Sequence, residues 1–120
     1  MPGDALNQQL AVCHKAYYRL RAARTEATRL AYQNACLRLA LTLTRVLRTH
    51  SVTLRLQHGR AQPVARVGRV DGQGVLWFSS TAGARECERS VSWREVELVE
   101  VRAKERVRIS ELFGCRKKVA

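Results

Sequence analysis

The sequence predicts an α+β protein in which a long N-terminal helix precedes a small antiparallel β-barrel of five or six strands. Three observations carry that expectation. Residues 5–49 contain no Gly and no Pro and repeat their apolar side chains at helical spacing. From Ser51 the apolar period falls to two. Beyond His58, turn signals recur at short intervals and leave room only for short strands.

In the first half, Leu6, Leu10, Cys13, Tyr17 and Leu20 advance by alternating steps of four and three, which makes an amphipathic helix with a coiled-coil-like seam. Asp4 is the expected N-cap, and Lys15, Arg19 and Arg29 face the other way. Further on there are two stripes. Leu30, Leu37 and Leu41 form one, and Tyr32, Cys36, Leu39, Leu43 and Val46 form another, roughly opposite. A helix apolar on two sides is sandwiched between two partners. One is the rest of the chain; the other is either the first helical segment folded back or a second subunit. Thr25-Glu26 is where a second helix would begin. Because Gly and Pro are missing there, one continuous or kinked helix is the preferred reading over a helical hairpin.

In the second half, Val52, Leu54 and Leu56 alternate with Thr53, Arg55 and Gln57 as a half-buried strand. His58-Gly59 is a turn, and Pro63 opens a strand over Val64–Val70 with a bulge or bend at Gly68. Asp71-Gly72-Gln73-Gly74 is a tight turn before Val75-Leu76-Trp77-Phe78, which is apolar on both faces: one for the core, the other to be covered by the helix. Strands are expected over Arg85–Ser92 and Val96–Val101, separated by a short turn at Trp93-Arg94-Glu95, and Arg106–Ile109 reads as a sixth strand or an edge. The organisation is thus a helical, oligomerising region (1–50), a small barrel (51–110) and a basic tail (111–120).

The run Val52 to Arg60, then Val64 to Val70 ending at Asp71, Val75 to Phe78, and Val91-Ser92-Trp93-Arg94-Glu95-Val96 resembles the Sm-like small β-barrel over residues 51–101. The resemblance implies an SH3/Sm-like barrel preceded by a helix, in a family whose members commonly form rings that bind RNA. Pro63-Val64 stands where the family has Gly in its bent strand, Gly74 stands near its Asn, and its Arg-Gly pair is missing between Val91 and Val96. The family's base-binding pocket is therefore not implied.

Charge narrows the function. The chain carries 22 Lys and Arg against 10 Asp and Glu, for a formal net charge of +12. Eighteen of the cations are Arg, whose planar fork pairs with phosphate and stacks on bases. A GC-rich coding sequence explains Arg in place of Lys but not the shortage of acids. Residues 1–50 and 51–120 each contribute +6. This is the electrostatic footprint of a nucleic-acid-binding protein, DNA or RNA.

Arg55, Arg66 and Arg69 are expected on outward faces of the barrel strands, with Arg60 in the adjoining turn, as a row that tracks a phosphate backbone. Trp77 stacks a base in this reading or, alternatively, packs on the helix. Arg116, Lys117 and Lys118 form a basic arm that grips phosphate or solubilises the tail. The same arginines also read as an ordinary solvated face.

No cofactor and no metal site is expected. Cys13, Cys36, Cys87 and Cys115 have no zinc-knuckle spacing and read as free, largely buried thiols of a reducing cytoplasm. His14, His50 and His58 have no adjoining nucleophile, and the acids clustered at 86–100 read as an exposed strand face, so the protein is expected not to be an enzyme. No signal peptide is seen, and Ala35–Leu47, the most apolar stretch, is too short to span a bilayer. The second apolar stripe favours a homo-oligomer, most simply a dimer, through residues 6–47. The contrasting reading is a structural adaptor that binds another protein through helix and barrel.

Overall fold

The structure, a computed structural model, describes residues 2–82 and 85–104. The fold is α+β: two helices, α1 (Pro2–Ala22) and α2 (Glu26–Val46), precede six antiparallel strands. The strands are β1 (His50–Leu56), β2 (Ala61–Val64), β3 (Arg66–Val70), β4 (Val75–Ala82), β5 (Arg85–Ser92) and β6 (Val96–Ala103). They form two three-stranded sheets, in the orders β2-β1-β6 and β3-β4-β5. The expected sixth strand at 106–109, Cys115 and the basic tail lie outside the described residues.

The preference for one continuous helix is corrected: the chain breaks at residues 23–25 and folds into a helical hairpin. Hydroxyl groups replace the missing Gly and Pro. The Thr25 side chain accepts from the Thr28 backbone N–H at 3.2 Å, and the Thr28 hydroxyl accepts from the Thr25 N–H at 3.0 Å. The Thr28 hydroxyl also donates to the Ala23 carbonyl at 2.6 Å, so it ties off both helix ends. This is a capping box with Thr at the position usually held by Glu or Gln, which satisfies donors that a new helix otherwise leaves orphaned. At the other end, α1 begins at Pro2, placing Asp4 in its first turn rather than at the N-cap.

Leu6, Leu10, Cys13 and Ala16 of α1 are buried, as are Tyr32, Cys36, Leu39 and Leu43 of α2. They join Val52, Leu54, Leu76, Phe78, Val91, Trp93, Val96 and Val99 of the sheets in one continuous core. The seam between α1 and the sheet is specific. The Asn7 side chain donates to the Val99 carbonyl and accepts from the Val99 N–H, both at 2.9 Å. It thereby occupies the outer hydrogen-bonding edge of β6, where another strand would otherwise pair.

The expected single strand over Val64–Val70 is two strands, β2 and β3, broken at Ala65, whose N–H donates across to Ser79. Pro63 lies within β2 opposite Thr53 rather than before the strand. The irregularity at Gly68 is present: the register against β4 shifts between Val67 and Arg69. A Cβ on Gly68 would approach the Trp77 carbonyl oxygen to 2.9 Å, too close for any other residue without a backbone shift. His58 and Gly59 turn with positive φ, and Trp93–Glu95 forms one 3-10 turn between β5 and β6. No described helix is long and apolar enough to cross a membrane.

Candidate nucleic-acid interface

The bulge at Gly68 decides where the β3 arginines point. Arg66 is opposite Ser79 and Arg69 opposite Trp77, two positions that share a face of β4, so the extra residue brings both guanidiniums to one outer surface. Arg55 stands on the other sheet, and Arg60 leaves the turn beside it. The four expected arginines are all exposed but split between two sheets rather than arrayed in a single row.

Two of the four are already paired. Arg55 Nε donates to Glu100 at 2.8 Å, and Arg66 donates two hydrogen bonds to Glu86 at 2.9 and 2.7 Å. These pairs hold both carboxyls below the usual carboxylate range and raise both guanidiniums further. The cross-strand acids that the sequence placed on an exposed face thus mask part of the strand arginines.

Trp77 is half-buried on the outer face of β4. The Arg69 guanidinium lies 5.0 Å from the centre of its ring, within cation–π range. Its Nε1 donates to the Asp71 carboxylate at 3.1 Å. The other Asp71 oxygen accepts from the Gln73 and Val75 N–H groups, closing the turn. The Trp77 bond, then that from Val75, holds the Asp71 carboxyl below its ordinary range. The cover expected from the helix is supplied here by Arg69 and Asp71. Helix α2 instead covers the end of the turn. A Cβ on Gly74, whose φ is +79°, would come within 2.7 Å of the Tyr32 ring and 3.1 Å of the Cys36 sulfur. The site where the Sm-like pattern has Asn therefore has no space for a side chain.

A second basic surface lies where the hairpin meets the sheets. A cleft of about 630 Å³ runs between Tyr17, Arg24, Arg29 and Tyr32 on the helices and Gln73 and Arg94 on the β side. The Arg94 guanidinium donates to the Tyr17 hydroxyl at 2.6 Å and sits 5.4 Å from that ring's centre. That hydrogen bond raises Arg94 above its ordinary value, so it is a fixed cation. Burial keeps the Tyr32 phenol neutral by raising its pKa. Among the described residues, Arg24, Arg29 and Arg94 make no ion pair, although Glu26 lines the same cleft.

The cleft has little local signal in the sequence: Arg94 reads as a turn residue and Tyr17 as part of the helix seam. Only the hairpin brings Arg24 and Arg29 to face Arg94, and the sole advance signal was the Thr25 cap. Cys13 and Cys36 are fully buried where α1 meets α2, and the adjacent Cys36 and burial push the Cys13 thiol well above its usual range. No group of three His, Cys, Asp or Glu able to hold a metal occurs among the described residues. Against protein-family models, curated proteins and solved structures alike, the chain gives no match.

Proposed function

We propose that this is a non-enzymatic nucleic-acid-binding protein of the cytoplasm, with its helical hairpin seated on an SH3/Sm-like small barrel. The observation that carries the reading is a surplus of guanidinium groups without carboxylate partners, three of which line one cleft. Residues 2–48 hold eight Lys and Arg against only Asp4 and Glu26. Arg24, Arg29 and Arg94 converge on one cleft. Such a surface neutralises phosphates and releases counterions, with little direct readout of base edges. The barrel reading is supported by the Ala65 N–H bond to Ser79 of β4, where the chain crosses from one sheet to the other, and by the short 3-10 turn into the last strand.

Fluorescence anisotropy with single- and double-stranded DNA and RNA, at about 50 and 200 mM salt, tests the proposal. Binding should fall by orders of magnitude between the two salt levels if several phosphates are contacted. Affinity that does not change with salt would favour the adaptor reading instead. One observation supports that second reading. The hairpin buries only one of the two α2 stripes: Leu30, Leu37 and Leu41 stay 44%, 40% and 63% exposed. In the nucleic-acid reading the same stripe is the seam of a homodimer, and sedimentation at micromolar concentration should show two chains. A monomer there would remove the dimer while leaving nucleic-acid binding intact.

A further inference from the structure

The cleft beside Arg94 does not end at Tyr17. A second hollow of about 440 Å³ lies across Tyr17 and Arg94, lined by Tyr18, Arg21 and His14 of α1 and by Gln57, with Glu95 and Glu97 also on its wall. The two hollows adjoin at the Tyr17–Arg94 pair, which lines both, along a line from the hairpin tip to the flank of α1. Along it, Arg24 and Arg29 come first, Arg94 stands in the middle, and Arg21 follows. Tyr18 lies beside Arg21 with 66% of its surface exposed. Its ring meets Tyr17 edge-on at 6.0 Å between centres, and Tyr17 in turn packs on Tyr32 at 5.6 Å. The exposed ring is thus braced by Tyr17, which is itself packed on Tyr32.

We propose that this path binds a single strand of nucleic acid, with phosphates on Arg24, Arg29, Arg94 and Arg21 and an unstacked base on Tyr18. The proposal deepens the nucleic-acid reading and rests on it. Two features favour a single strand. Cations along the rim of a hollow meet a flexible backbone more readily than the convex surface of a duplex. An exposed aromatic ring contributes only when a base is free to stack on it, which a duplex does not offer. Two adjoining hollows, each with its own cations, favour a polymer over a single nucleotide. Arg94, held by Tyr17, supplies a fixed point between the two ends.

The test uses the full chain and labelled single strands of about 20 nucleotides, longer than the site of most small single-strand-binding domains, as DNA and as RNA, with the matching duplexes. Single strands should bind more tightly than duplexes. Tyr18→Ala should weaken single-strand binding about five-fold or more, and Tyr18→Trp should restore it. The double variant Arg24→Gln/Arg29→Gln should flatten the salt slope by about 1.4, since each phosphate contact on a single strand contributes about 0.7. Circular dichroism should match the wild type for all of these exposed positions. A response in only the DNA or only the RNA arm supports the groove and names the strand. A duplex preference overturns the proposal. So do variants that bind single strands as the wild type does while Arg60→Gln/Arg69→Gln loses affinity; in that case nucleic-acid binding stands and its surface is on the strands. If no form binds even at about 50 mM salt, the functional reading falls with the groove.

Discussion

The helical hairpin and the β-region hold similar numbers of cations but manage them differently. Residues 2–48 carry eight cations and two acids; residues 50–104 carry nine cations and six acids. In the β-region, Arg55 pairs with Glu100 on the neighbouring strand β6, and Arg66 reaches across β4 to Glu86 on β5. On the hairpin, acids are almost absent, and folding at Thr25 turns Arg24 and Arg29 toward a cleft. Formal charge counted along a chain therefore says less about a binding surface than which charges the fold leaves without a partner.

The sharpest way to break the comparison is to ask whether the two regions are separable. Leu39 is fully buried in a core shared by hairpin and sheets. Leu39→Ala should cost about 2–5 kcal/mol, and both regions should unfold in one transition. Helix circular dichroism that melts apart from Trp fluorescence would show two independent units.

The seam itself is probed at Gly74. A methyl group there meets the buried Tyr32 ring, and the backbone is left-handed, so Gly74→Ala should destabilise by about 1–3 kcal/mol in urea unfolding. A neutral result would mean that α2 is not seated on this turn. The hairpin depends on its cap in the same way. Thr25→Ala should cost about 1 kcal/mol and reduce nucleic-acid affinity, by loosening the cleft between Arg24, Arg29 and Arg94.

The strand ion pairs should matter least for stability. Arg66→Gln should leave the urea midpoint within error of the wild type, because both partners are exposed. Acid sharpens the same point. Asp71, Glu86 and Glu100 have depressed pKa values, so their charged forms stabilise the fold fully above the ordinary carboxylate range of about 4, and that contribution is lost as pH falls through the lower folded-state values. Urea midpoints should fall on acidification, and Asp71→Asn should reduce the dependence. An unchanged midpoint for the wild type would show that these bonds do not hold in solution.

Local pattern made much of the fold legible. The strand at Arg85–Ser92, the turn at Trp93–Glu95 and the irregularity at Gly68 are where alternation and turn chemistry place them. The helix break was not legible as a break, because the rule for helix ends looks for Gly and Pro, and here a pair of threonine hydroxyls satisfies the exposed backbone groups. Of the site, the exposure of Arg55, Arg60, Arg66 and Arg69 could be read from strand period, but their pairing could not. Arg55 and Glu100 are 45 residues apart, and nothing local joins them.

The sequence by itself determined the α+β order, the α1 stripe that enters the core and the excess of cations. These follow from periodicity and composition, which act over a few residues at a time. Tertiary structure alone decided which arginines are masked by Glu86 and Glu100, and that Trp77 sits beneath Arg69 rather than under a helix. It alone gathered Arg24, Arg29 and Arg94 around one cleft. The reason is physical: charge–charge and cation–π energies depend on distances of a few ångströms, and those distances are set by long-range packing of the hairpin on the sheets.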